Sequence, residues 1–167
     1  MAKPTLKVTV KPLGGAAGDR IELAGVLADD TWSKLADLGS RTSATHVTID
    51  LEGITGINSA GIRSWVLFIR PFAKDRLVCL ECCPPCFVQQ LNMILSMAAG
   101  CRVGSVLVPV ECRACTTSRL VKVPEEDFAD DAAITARLAG VCSRCGQPVQ
   151  TSVELRDYFG FARSQDG

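Results

Sequence analysis

"VTIDLEGITGINSAGIRSWVLFI", residues 47–69, changes period halfway along, and that change decides the fold. The segment 46–51, HVTIDL, is a short β-branched run of the kind that makes strands. Residues 52–58, EGITGIN, read as a turn. From Ser59 the spacing becomes helical: Ile62, Trp65, Val66, Ile69 and Phe72 fall on one face, and Pro71 marks the end. A strand, a short turn and an amphipathic helix in that order make the unit of an α/β layer.

The same logic extends to both sides. Toward the N-terminus, 6–15 (LKVTVKPLGG) alternates Leu6, Val8 and Val10 against polar partners and stops at two glycines, and 19–27 (DRIELAGVL) repeats the pattern, so a hairpin is expected. Residues 29–40 place Trp32, Leu35, Ala36 and Leu38 at helical spacing, closed by Gly39. Toward the C-terminus, 76–82 (RLVCLEC) has no polar alternation apart from Glu81 and reads as a central strand covered on both sides. Pro84 and Pro85 then open a helix whose apolar face is Phe87, Val88, Leu91, Ile94, Leu95 and Ala98. A further strand follows at 103–112. The organisation expected is an α/β domain over residues 1–110 and a small extension over 111–167.

Composition narrows the function. Apolar residues make up 47% and charged residues 22%, which suits a folded globular chain. Eighteen basic residues balance eighteen acidic ones and are scattered, so the electrostatic footprint of a nucleic-acid binder is missing. The start, Met1 to Pro4, leads into alternating residues without a signal-peptide apolar region, and no window reaches the roughly 18 apolar residues of a membrane span. A cytoplasmic protein is expected. Nine cysteines is an odd number without an export signal, which favours free thiols or metal ligands over a disulfide framework.

Two CxxC pairs, Cys112/Cys115 and Cys142/Cys145, carry the strongest chemical signal. Each turn can aim two thiolates at one tetrahedral centre, and Gly146 lets the second turn back on itself. Four sulfurs fill the coordination shell of zinc and leave no open position for a substrate, so the expected role is structural. A segment of about 50 residues with little apolar content buries too little surface to fold alone, and zinc would stand in for the missing core. Zinc ribbons also bind nucleic acid. Here Glu111, Glu125, Glu126, Asp127, Asp130 and Asp131 make the extension unattractive to phosphates. Tyr158, Phe159 and Phe161 crowd the tail and are expected to dock the extension onto the first domain.

The stretch from Asp50-Leu51 through an apolar turn to Asn58-Ser59-Ala60-Gly61 resembles the STAS domain, the family of bacterial anti-sigma-factor antagonists and of the cytoplasmic domains of sulfate transporters. The similarity covers about residues 5 to 110 and takes in IELAGVLADDTWSKL. It implies a STAS-like α/β fold, a mixed β-sheet with helices packed on it, with the zinc ribbon as an addition. It also implies binding of other proteins rather than catalysis: a serine kinase, an anti-sigma-type regulator or a second copy. In partner-switching members the serine of this motif is phosphorylated, which places the modification at Ser59, with Asn58 and Gly61 completing the contact region. Asn58 stands where the family has aspartate, and Ala28 where many antagonists have another. A serine at a helix start faces unpaired backbone N–H groups, so a phosphate there is locally stabilised and would repel a partner built for the neutral form. Asn58 or Ser59 also caps the helix.

The enzyme alternative is a thiol-disulfide oxidoreductase using Cys83-Pro84-Pro85-Cys86 at a strand-to-helix junction. The tryptophan-bearing loop expected before such a motif is missing. A second zinc on Cys79, Cys82, Cys83 and Cys86 is disfavoured because strand alternation sends Cys79 and Cys82 to opposite faces. Packing explains Cys79, Cys82 and Cys101, with Cys83 or Cys86 partly exposed. His46, the one histidine, has no carboxylate or serine partner in the pattern, and no catalytic residue is assigned.

Overall fold

Strands β1 (Lys7–Pro12) and β2 (Asp19–Leu27) pair antiparallel, as the hairpin pattern requires, in a computed structural model that describes residues 5–14 and 18–163. The expected turn at Gly14-Gly15 is described only to Gly14, and Met1–Pro4 also lie outside the described residues. β3 (His46–Ile57), β4 (Leu77–Glu81) and β5 (Arg102–Val103) follow, each parallel to the strand before it, giving a five-stranded mixed sheet in the order β1-β2-β3-β4-β5.

β3 runs straight through the segment read as a turn. Gly53 and Gly56 are strand residues; a Cβ on Gly53 would lie 2.6 Å from the Ala24 Cβ, so this glycine marks a close approach between strands. The register of β2 on β3 shifts between Glu22 and Ala24 and between Gly25 and Val26, which absorbs the irregularity.

The helix expected over 29–40 is two short ones, α1 (Thr31–Leu35) and α2 (Leu38–Arg41). The break at Ala36-Asp37 lets Leu35 and Leu38 both reach the core, whereas Trp32 is left 48% exposed. α3 (Ser59–Phe72) has the expected bounds and buries Trp65, Phe68, Ile69 and Phe72. Trp65 meets Phe87 edge-on at 5.3 Å, and its indole Nε1 donates to the Met97 carbonyl at 2.8 Å. β4 is central but alternates: Val78 and Leu80 are buried and Leu77 exposed, because successive side chains point to opposite faces and the Val78–Leu80 face is the one that joins the core.

α4 (Pro85–Met93) starts at the prolines as expected and stops well short of Ala98. Ile94 leaves the helical conformation and a 3-10 turn covers Leu95–Met97, so Met97 turns inward and Leu95 outward, 93% exposed. No helix among the described residues is long and apolar enough to cross a membrane.

The strand expected at 103–112 is divided between two sheets. Arg102–Val103 closes the first; β6 (Ser105–Cys112) is the centre of a second, β7-β6-β8, with β7 (Ser118–Pro124) and β8 (Val149–Thr151) antiparallel to it. Gly104 is the crossing point, and a Cβ there would sit 2.6 Å from both Cys79 Sγ and Glu81 Oε1. The sheets are stitched by backbone bonds, Cys83 N to Ser105 O at 3.1 Å and Leu107 N to Cys83 O at 2.9 Å. α5 (Asp131–Leu138) covers β7 and β8. The tail forms α6 (Leu155–Tyr158) and α7 (Gly160–Arg163) and docks as expected: Phe159 is buried against Phe128, the Tyr158 hydroxyl donates to Leu107 O at 2.6 Å, and Asn92 Nδ2 donates to Tyr158 O at 3.0 Å.

Glu81 is the polar tie between the sheets, accepting from Ser105 Oγ at 2.5 Å and from Lys122 Nζ at 2.8 Å. Burial alone would raise its pKa, but the hydrogen bonds from Lys122 and Ser105 outweigh it, and the net shift is downward from 4.5. A depressed carboxylate stabilises the fold above its unfolded pKa and loses that contribution as pH falls through its folded pKa. Glu81→Gln should therefore lower Tm at pH 7, with the gap to wild type closing below about pH 4. A gap that does not change with pH would mean that the carboxylate charge plays no part.

Candidate functional site

Two backbone turns of the same design bring the four cysteines together. Cys112 ends β6; its N–H donates to Thr117 O at 2.9 Å and its carbonyl accepts from Thr116 N at 2.7 Å. Cys142 repeats this, donating to Gln147 O at 2.8 Å and accepting from Gly146 N at 2.8 Å. The fifth position of each turn is left-handed, Thr116 at φ 56° and Gly146 at φ 72°. Sequence reading singled out the glycine and missed the threonine, which carries no signal for that conformation. The pairing of Val149 in β8 with Cys112 in β6 sets one turn against the other.

All four sulfurs lie within 4.8 Å of one another, with Cys112 and Cys145 at 3.4 Å and Cys115 and Cys142 at 3.5 Å. A tetrahedral tetrathiolate shell needs sulfur separations of about 3.8 Å for metal–sulfur bonds of about 2.3 Å, so the cluster fits a metal ion with little adjustment. Its electrostatics point the same way. The Thr117 hydroxyl and backbone N–H pull the Cys115 pKa down to about 6, and the N–H groups of Arg144 and Cys145 lower that of Cys142. The Gln147 amide favours the Cys145 thiolate too, yet the sulfurs of Cys112, Cys115 and Cys142 push Cys145 up to about 12. Packed this closely, the sulfurs cannot all ionise unless a cation is shared among them.

The second predicted region, Asn58, Ser59 and Gly61, sits at the start of α3. The Asn58 side chain caps the helix, accepting from Gly61 N at 2.9 Å, and the Asn58 N–H donates to Leu27 O at 3.0 Å. Gly61 is buried on the end of β2, so close that a Cβ would lie 2.0 Å from Leu27 O. Ala28, the next residue, donates to Thr31 Oγ1 at 2.7 Å, which fixes the start of α1 on the same corner. Asn58 and Ser59 are exposed there, as are Trp32 on α1 and Arg63 on α3. Trp32 shares the helical spacing of Leu35 and Leu38, which does not reveal that its side chain is exposed.

Cys83 is fully buried, and desolvation raises its pKa well above 9.0. Cys86 is half-buried and is also raised by burial, as is Cys82; burial pushes Cys101 up to about 12. Cys79 is raised by burial and by Glu81. Redox nucleophiles need the opposite, an accessible thiol of lowered pKa. Cys82 lies near Asp50 and Glu52, their ligand atoms within 4.8 Å of one another, a grouping the sequence did not reveal; the Asp50 carboxylate is held by Arg20 and by the Glu52 N–H. His46 is exposed and contacts Thr45 Oγ1 at 3.2 Å. No family model matches the chain, and no curated protein matches it.

Proposed function

We propose that this chain is a non-enzymatic protein-interaction module of the STAS type, with a contact surface centred on Ser59 and a structural zinc held by Cys112, Cys115, Cys142 and Cys145. The observation that carries it is the rigid display of Ser59. The serine is exposed on a helix start that is capped by Asn58 and packed on the backbone of Leu27 through Gly61, so its position is fixed. A partner can recognise a surface that does not move at little entropic cost. An exposed hydroxyl at a helix N-terminus also suits phosphorylation, because the first turn's N–H groups stabilise the added charge. The partners this reading implies are a serine kinase and an anti-sigma-type regulator, in the cytoplasm of a bacterium. Zinc is the metal that a shell of four thiolates selects over harder cations.

The test compares wild type, Ser59→Ala and Ser59→Glu as baits under mild cross-linking in the native host, with phosphate mapped on the recovered chain. The reading expects one partner retained by Ser59→Ala and lost at least tenfold by Ser59→Glu, all three proteins keeping the same Tm and metal content. Equal recovery with all three baits would overturn the Ser59 surface. Recovery that follows the charge at Ser59, with the residue never phosphorylated in any growth condition, would leave the surface standing and remove the switch.

A further inference from the structure

Between the 3-10 turn after α4, the strand β5 and the docked tail lies a cavity of about 370 Å³. Its apolar lining includes Leu91, Ala98, Val103, Phe128 and Phe161, and the exposed side chain of Leu95 stands on it. Arg102 and Arg163 line it as well, with Glu125 as the one carboxylate among the described lining residues. Arg102 gives its Nε to Glu125, and Arg163 gives Nη2 to Asp131, which lies outside the lining. A guanidinium carries five N–H donors, so after these pairings each arginine keeps some that no described residue accepts, among them both terminal nitrogens of Arg102 and Nη1 of Arg163. An apolar cavity of this size with two cationic side chains is built for a ligand with an apolar body and an anionic end.

We infer that this cavity binds a small amphipathic monocarboxylate, an aryl or medium-chain aliphatic acid, with its carboxylate between Arg102 and Arg163 and its apolar part on Leu91, Phe128 and Phe161. Both arginines are already ion-paired, so the ligand's carboxylate is recognised by their spare donors, in the bidentate geometry that arginine favours. Such a ligand touches the first sheet's side through Val103 and α4 and the extension through Phe128 and the tail, and so closes the junction between them. This inference is independent of the Ser59 surface and of the metal.

The test is a titration of the full-length, metal-loaded protein with octanoate, followed by amide NMR shifts, with octanol and octanamide as neutral controls. Saturable one-to-one binding is expected, with shifts concentrated at Arg102, Ala129, Phe161 and Ala162, and with both neutral analogues at least tenfold weaker. Arg102 is 66% exposed, so Arg102→Gln should fold normally and weaken octanoate at least fivefold while leaving octanol unchanged. Ala129→Trp, which fills the cavity from an exposed lining position, should abolish binding of all three. Octanol binding as tightly as octanoate, an unchanged Kd in Arg102→Gln, or shifts that are scattered and never saturate would each overturn the inference.

Discussion

Removing the zinc we assign to the four-cysteine cluster should unfold the outer end of the second sheet and spare the rest. The two turns at 112–117 and 142–147 hold their sulfurs within 4.8 Å without any apolar packing of their own beyond Cys112 and Cys142. Zinc binding at such sites is worth on the order of 10 kcal/mol, more than a short three-stranded sheet can supply otherwise. The inner end is different: Val106, Val108, Val110, Val123, Ile134, Leu138 and Phe159 belong to the same hydrophobic cluster as Trp65 and Leu80. The loss is therefore graded. After chelation, amide exchange should rise at least a hundredfold at Thr116, Gly146 and Val149 and change little at Val106, Val108 and Val123. Metal analysis should return one zinc per chain, with all four thiols protected from alkylation until it is removed; Cys115→Ala and Cys145→Ala should each lose it. Rapid alkylation of these four thiols in freshly purified protein, or exchange that rises uniformly along the chain, would contradict the assignment.

That graded outcome departs from the expectation that zinc replaces a missing core, and the reason shows what a sequence conceals. Val106, Val108 and Val110 stand before residue 111, and Phe128, Ile134, Leu138 and Phe159 look sparse when counted within 111–167. They are enough because they pack across the junction on Leu91, Val88 and Phe87, and a count within one segment cannot register contacts made outside it. The placement of β6 has the same origin: its apolar run reads as another strand of the first layer, and its pairing with β7 and β8, later in the chain, makes it the centre of a second sheet.

Local signals were legible where local physics decides. The bounds of α3, the proline start of α4, the β1–β2 hairpin and the pairing of the two CxxC turns all follow from spacing and capping chemistry. Signals failed where tertiary contact outranks propensity. Gly53 and Gly56 read as turn residues because glycine is common in turns, yet the neighbouring strand β2 keeps them extended. Leu95 fits the helical face of α4 by position, and the break at Ile94 sends it to solvent. Cys83 offers the same lesson for chemistry. Its CxxC spacing resembles an active thiol, and the backbone bonds to Ser105 and Leu107 seal it inside the junction between sheets.

Gly61→Ala should destabilise the protein by about 3 kcal/mol or more, although helix propensity alone favours alanine there by about 1 kcal/mol. The Cβ would lie 2.0 Å from Leu27 O, 2.2 Å from Leu27 C and 2.8 Å from Ala28 N, all backbone atoms. Leu27 O cannot retreat without losing the Asn58 N–H it accepts at 3.0 Å, and Ala28 is held by Thr31. The start of α3 must move instead, which opens the Asn58 cap, itself worth about 1 kcal/mol. At about 2–4 °C per kcal/mol for a chain of this size, Tm should fall by roughly 10 °C. Gly39→Ala is the control, since nothing lies within 4 Å of a Cβ at that exposed position in α2, and it should be neutral or raise Tm slightly. The same substitution then has opposite signs at two helical glycines, and the close approach to Leu27 accounts for the difference. Because the displaced turn carries Ser59, Gly61→Ala should also weaken partner binding at temperatures where the variant is fully folded. A variant that melts with wild type would show that α3 does not rest on β2 at this corner, and the rigid display of Ser59 would fall with it.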